Sequence, residues 1–329
     1  MESNEQVKSQ MLGTMKMTKL VPKVSVPIMI SMLVQALYNV VDSIFVAQYD
    51  ANALTAVSLA YPIQMLMIAV STGLGVGINS LISRKLGEKR GDEAHDAARN
   101  GIMLSLIGYL LFLVFGLFFT RPFFAMMTPD AALQELGCQY LQIVCVFGFG
   151  LFLSVTFERF VQATGNTILS MVMQLTGAIT NIILDPIMIF GLLGCPRMGI
   201  AGAAAATVVG QILGMLLGMI LNQWKNPELR LHLGGFRPSA SIVRNILSVG
   251  LPSIIMQSIS SVMNVLMNMI LLGFGTAAVN VFGVYFKLQS FVFMPVFGLS
   301  NGLVAILGYN YGARMRKRVY DALKVALIW

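Results

Sequence analysis

The chain has 329 residues, of which 57% are apolar and 11% charged, with a mean hydropathy of +0.78 and a formal net charge of +8. A soluble domain carries about a quarter charged residues, so water is excluded as the main solvent. Transmembrane β-strands would need segments of about ten alternating residues. The long unbroken apolar runs exclude them, and the fold class read from the sequence is all-α, a polytopic transmembrane helical protein.

The start, Met1 to Lys23, is polar, carries Lys8, Lys16, Lys19 and Lys23, and has no short apolar region with a cleavage site behind it, so no cleaved signal peptide is read. Apolar segments follow at 24–48, 53–82, 101–119, 136–157, 168–193, 199–222, 246–272, 278–309 and from 322 onward. At about 20 residues per span these are eight spans and the start of a ninth. Several exceed the bilayer thickness and must tilt or kink, with Pro27, Pro62, Pro186, Pro252 and Pro295 as kink sites.

Of the 22 Lys and Arg residues, nineteen fall at the N-terminus and in the loops after spans two, four, six and eight; only Arg121 and Arg197 lie on the other side, and Lys287 lies within span eight. By the positive-inside rule the N-terminus is cytoplasmic and the chain sits in the cell's inner membrane. The positive charges are spread over alternate loops and not gathered on one face, so nucleic acid is not an expected partner. Membrane lipids are, and the chain is expected to be a monomer.

The polar stretch Asn222 to Arg244 reads as a linker, and the chain repeats across it. The shift that carries Pro27 onto Pro252 also carries Asn39 onto Asn264, Gly73 onto Gly298, Gly77 onto Gly302, Gly87 onto Gly312, Asp96 onto Asp321 and Ala97 onto Ala322. A unit of six spans returns the chain to the cytoplasm, so the two copies share one orientation, related by a pseudo-two-fold along the membrane normal. The expected domains are an N-lobe of six helices over 1–235 and a partial C-lobe over 236–329. The second copy stops in its third span, so a C-terminally truncated chain is expected.

Ionisable groups in a bilayer core are costly and mark pathways by default. Asp42 and Asp185 are the two acids deep in apolar segments, each six residues before the estimated outer end of its span, hence at one level. Asn181 shares the face of Asp185 one turn earlier, and Thr207 lies eight residues below the outer surface on span six. Two carboxylates, an amide oxygen and a hydroxyl are hard ligands suited to Na⁺, and a crowded acid pair is equally suited to hold a proton. Pro186 would also free the carbonyl of Ile182 as an acceptor. The competing reading is that the acids only cap polar helix contacts.

Gln35, Tyr38, Asn39, Asp42 and Ser43 line one face of span one. Drug contact and interhelical hydrogen bonding both fit that face, so Gln35, Tyr38 and Asn39 are candidate cavity residues. Lys287, nine residues into span eight, is a fourth, too deep to snorkel easily. The glycines Gly73, Gly75 and Gly77 lack a preceding strand and read as close helix packing, not as a dinucleotide loop. Cys138, Cys145 and Cys195, with His95 and His232 in separate loops, form no metal or disulfide pattern, and no enzymatic cluster or cofactor is read.

Taken together, Pro27 to Gln48, the run Gly73 to Gly87 ending Arg84-Lys85-Leu86-Gly87, Arg159 to Asn166, Asn181 to Pro186, and Gly199 to Gln211 resemble the multidrug and toxic compound extrusion (MATE) transporters. The resemblance implies a twelve-span exporter of two lobes that exchanges an amphipathic, cationic drug for Na⁺ or H⁺ by alternating access. It also implies a coupling-cation site at Asp42, Asn181 and Asp185, joined by Thr207. The alternative within the same superfamily is a lipid-linked oligosaccharide flippase. Holding a pyrophosphate should take several intramembrane cations, and only Lys287 qualifies.

Overall fold

The computed structural model describes residues 7–230, 238–272, 274 and 276–328, without the side chains of residues 7, 8 and 51 and of several positions between 260 and 291. Among the described residues twelve α-helices run in order: α1 Val7–Thr14, α2 Met17–Tyr49, α3 Ala51–Gly87, α4 Gly91–Phe118, α5 Thr120–Met127, α6 Ala131–Val146, α7 Phe149–Ala163, α8 Thr167–Phe190, α9 Ile200–Lys225, α10 Ala240–Leu272, α11 Thr276–Gly312 and α12 Arg316–Ile328. No strand occurs among them. Seven of the described helices are long and apolar enough to cross a membrane, or eight when α6 and α7 count as one bent span.

Local chemistry sets the ends. Asp50 caps α3 by accepting from Asn52 N at 3.0 Å, and Asp130 caps α6 by accepting from Ala132 N at 2.8 Å. Gly191, with φ at 76°, supplies the left-handed residue that ends α8. On α4, Leu106, Ile107, Leu110, Leu111 and Val114 are exposed. The opposite stripe of Ala97, Gly101, Leu104, Gly108 and Phe112 is buried at helical spacing. An exposed apolar stripe of that size is at home against lipid.

The sequence reads one continuous fourth span over 136–157, but α6 and α7 meet at a 43° bend at Phe147 and Gly148. No proline lies there. A Cβ at Gly148 would stand 2.8 Å from Met67 Cε, so the chain turns where a side chain is missing. Pro27, Pro62, Pro186, Pro252 and Pro295 all sit inside unbroken helices. Arg159, counted among the loop charges, instead lies within α7 and is 3% exposed. The sequence reading missed α1 and α5, which are short and lack long apolar runs.

α10 packs on α3, and α11 packs on both α2 and α3. The seam is lined by glycines that let backbones touch. A Cβ at Gly73 would strike Ile254, and one at Gly298 would strike Met29; the shift that carries Gly73 onto Gly298 also carries Met29 onto Ile254. Gly77 lies against Gly250 as Gly302 lies against Ser25, and Gly87 against Tyr309 as Gly312 lies against Arg84. Each contact has its counterpart at the shift found in the sequence. All lie in the half of the bundle nearer Gly87 and Gly312. Towards the other end Ile255, Ile259, Val262 and Leu266 of α10 are exposed.

The N-terminal helix is fastened under the same seam. Asn310 Nδ2 donates to the Leu12 carbonyl at 2.9 Å, and Arg318 Nη2 donates to the carbonyls of Leu12 at 3.0 Å and Met15 at 2.8 Å. The expected boundary at 235/236 falls within 231–237, outside the described residues.

Candidate functional site

α8 carries a buried polar stripe. Ser170, Asn181 and Asp185 are 0%, 3% and 0% exposed, and with Gln174 and Ala178 they follow the spacing of one helical face. The face turns towards α2 and α9, both of which pack on α8. The approach of α9 rests on small residues: a Cβ at Gly202 would meet the Met188 carbonyl at 2.6 Å, and one at Gly210 the Gly177 carbonyl at 2.7 Å. Gly210 also lies against Asn181, which fixes the height of Thr207 beside it.

Asn181 Nδ2 donates to Asp185 Oδ1 at 3.3 Å and to Thr207 Oγ1 at 3.2 Å. The carboxyl groups of Asp42 and Asp185 stand within hydrogen-bonding reach of each other. Two ionised carboxylates are acceptors only, so that contact needs a proton on one of them or a cation between them. Three oxygens of the group, Asp42 Oδ1, Asn181 Oδ1 and Asp185 Oδ2, are buried and receive no hydrogen bond. Buried acceptors are normally satisfied. Three unpartnered oxygens within one cluster of two carboxyls, an amide and a hydroxyl suit a proton or a hard cation such as Na⁺.

The structure therefore brings together Asp42, Asn181, Asp185 and Thr207. Tyr38, one turn before Asp42, stands within electrostatic range of Asp42 and Asp185. Gln35 and Tyr38 are half-buried and Asn39 is exposed. Lys287 lies on α11, and its side chain is outside the described residues.

Sequence reasoning missed the neighbours on α3 and α6. Gln64 Nε2 donates to the Tyr140 hydroxyl at 2.9 Å, and Tyr140, 2% exposed, stands in electrostatic range of Asp42 and Asp185. Gln211, one turn beyond Thr207 on α9, has a buried, unpartnered Oε1. The available signal was a glutamine amide flanked by apolar residues within a span, which Gln64 and Gln211 both are.

A second buried network sits at the other end of the α8 stripe. Glu158 Oε1 accepts from Gln162 Nε2 at 2.6 Å, Gln174 Nε2 at 2.7 Å and Ser170 Oγ at 3.2 Å. Arg159 Nη1 donates to Gln162 at 2.8 Å and crosses the seam to Asn301 Oδ1 on α11 at 3.0 Å. Gly75 makes room for it, since a Cβ there would lie 2.9 Å from Arg159 Cγ. One helix thus joins the acid pair to a contact between α7 and α11.

Known proteins resemble this chain in sequence and in fold. The MatE family model matches residues 27–187 and again 252–329, and its two starts, Pro27 and Pro252, are the first pair of the repeat. The multidrug export protein MepA of Staphylococcus haemolyticus is 29% identical over 305 residues, and that of Staphylococcus saprophyticus 27% over 305 residues; each match covers 92% of this chain. The chain spans 66% of the length of these curated relatives. A crystal structure of MATE in complex with MaL6 superposes with a TM-score of 0.91 at 29% identity, covering 97% of this chain and 70% of that one. An outward-facing multidrug resistance MATE family transporter of the MOP superfamily superposes at 0.88 with 28% identity, covering 97% and 70%.

Proposed function

The chain belongs to the MatE family, and on that premise we propose that it forms the first lobe and part of the second lobe of a cation-coupled exporter of amphipathic, cationic drugs. The observation that carries the reading is the cluster at Asp42, Asn181, Asp185 and Thr207, whose three unpartnered buried oxygens ask for a cation or a proton. The division at 235/236 is supported by the seam contacts, which pair off at the shift that carries Pro27 onto Pro252.

In this reading Na⁺ or H⁺ and the organic cation compete for one set of negative charges, and each favours a different arrangement of the helices. Coupling requires such differential affinity. The tight seam near Gly87 and Gly312, and the likeness to an outward-facing transporter, support a state closed on the side of the N-terminus. With that side cytoplasmic, as the loop charges argue, the acid pair is reached from outside. Tyr38, Tyr140 and Gln64 would border the path of the drug, and the shallow apolar pocket of about 370 Å³ on α10, at Ile255, Ile259 and Val262, suits its lipophilic part.

Proteoliposomes with imposed Na⁺ and pH gradients, applied separately, test the reading. Asp42→Asn and Asp185→Asn keep the shape of each side chain and remove its charge. Each should bring gradient-driven movement of a lipophilic cation to background with protein levels intact, and unchanged movement would overturn the proposal.

A further inference from the structure

The turn between α3 and α4 faces the turn between α11 and α12 across the seam, and between them lies a cleft of about 890 Å³. The two turns are counterparts in the repeat: Gly87 matches Gly312, and Lys89, with φ at 60°, matches Arg314, with φ at 58°. Their charges are not matched. The first turn of α4 carries Asp92 and Glu93, which suit the positive end of a helix dipole. The same two positions in α12 are Lys317 and Arg318, and its first turn has no acid.

On this side Glu88, which lines the cleft, and Glu93 are already paired. Lys85 Nζ lies 2.6 Å from Glu93 Oε2 and 3.0 Å from Glu88 Oε2, and Arg90 Nη1 lies 3.3 Å from Glu93 Oε1. Among the described residues no carboxylate pairs with Arg314 or Arg316, both of which line the cleft. Cations gathered at a helix N-terminus repel one another and oppose the dipole. A single anion in the cleft would answer both.

We propose that this cleft is a binding site for a phosphate-class anion, held by Arg314 and Arg316 at the N-terminus of α12 and facing Lys85 and Arg90. Two guanidinium forks can share the several oxygens of one phosphate, and the dipole at a helix N-terminus favours the same charge. Tyr311 and Tyr320, 70% and 66% exposed, flank the cleft as amphipathic rings do at headgroup depth. The anion is either a phospholipid headgroup or a free phosphate. Because the walls are two turns that meet at the seam, occupancy favours the state closed at this end; that consequence alone rests on the alternating-access reading.

The test is the thermal midpoint of the purified full chain in a zwitterionic detergent, titrated with short-chain phosphatidylglycerol, short-chain phosphatidylcholine or inorganic phosphate. An anion that binds only the folded chain raises Tm. Arg314→Gly suits the variant because glycine relieves the left-handed backbone while removing the charge, so a lost response is not a lost fold. The pair Arg314→Gly with Arg316→Gln should raise the half-saturating anion concentration at least about tenfold. Lys225→Gln, an exposed charge elsewhere, should respond as the parent does. A shift with phosphatidylglycerol alone identifies a headgroup, and a shift with inorganic phosphate identifies a free anion. Equal responses of parent and Arg variant, an equal loss in Lys225→Gln, or no shift beyond that given by phosphatidylcholine overturns the site.

Discussion

Ser83 on α3 packs against Gly308 on α11, and the shift that carries Pro27 onto Pro252 carries the first of these positions onto the second, so each is the other's counterpart in the repeat. A contact between counterparts lies on the axis that relates them. The glycine contacts on either side of it come in matched pairs, and the seam is built around that axis.

A methyl group on the seam should therefore cost more than one away from it. In Gly77→Ala the new Cβ meets the Ile246 carbonyl, a backbone atom that moves only with its helix, and overpacking of this kind costs about 1–3 kcal/mol. Gly91→Ala has nothing within 4 Å and should be neutral or favourable by about 0.5–1 kcal/mol. Denaturant unfolding in detergent compares them. Equal effects would contradict the seam as described.

Glu158 holds three donors on one oxygen. Glu158→Ala strands Gln174 and Ser170 and leaves Gln162 only the Ser170 hydroxyl at 2.8 Å, and at about 1–3 kcal/mol for each unsatisfied buried donor it should lower stability by at least about 2 kcal/mol. Glu158→Gln keeps an acceptor and should cost less. The same unfolding measurement separates them, and a ranking in the other order would rule out the network as a stabilising element.

Cys195 is exposed in the turn between α8 and α9, at the bundle end opposite α1, whereas Cys138 and Cys145 are buried. In intact cells a membrane-impermeant maleimide should label Cys195 and nothing else, and Cys195→Ser should abolish labelling. Labelling that emerges only after the membrane is broken would reverse the orientation derived from the loop charges.

Thr207→Val removes an oxygen at nearly constant volume and leaves the acid pair in contact. If Na⁺ is the ion held by Asp42, Asn181, Asp185 and Thr207, its apparent affinity should fall at least about tenfold while the response to pH persists. An equal loss of both responses would argue against a separate role for the hydroxyl.

Much of this was legible in the sequence because a membrane makes few demands and enforces them strictly. Apolar length marked out the spans, and the cost of buried acids drew attention to Asp42 and Asp185. A rise of about 1.5 Å per residue was enough to set those two at one depth, and their side chains do meet. Depth says nothing about which helices are neighbours, so Gln64 and Tyr140, on α3 and α6, went unnoticed. The bend at Gly148 was hidden because no proline marks it, and the close packing of Gly148 on Met67 involves a helix far earlier in the chain. Arg159 was misread as a loop charge because nothing in its neighbourhood announces Asn301, 142 residues away.

The most direct test of a shared site is equilibrium binding of tetraphenylphosphonium to the purified chain, with Na⁺ varied at fixed pH and pH varied between about 8 and about 5 without Na⁺. Coupling is reciprocal and typically amounts to at least about fivefold in affinity. Adding Na⁺, lowering the pH, or both should weaken tetraphenylphosphonium binding by that factor, and in Asp42→Asn with Asp185→Asn neither should matter. An affinity in the parent chain that is indifferent to both ions would contradict the account.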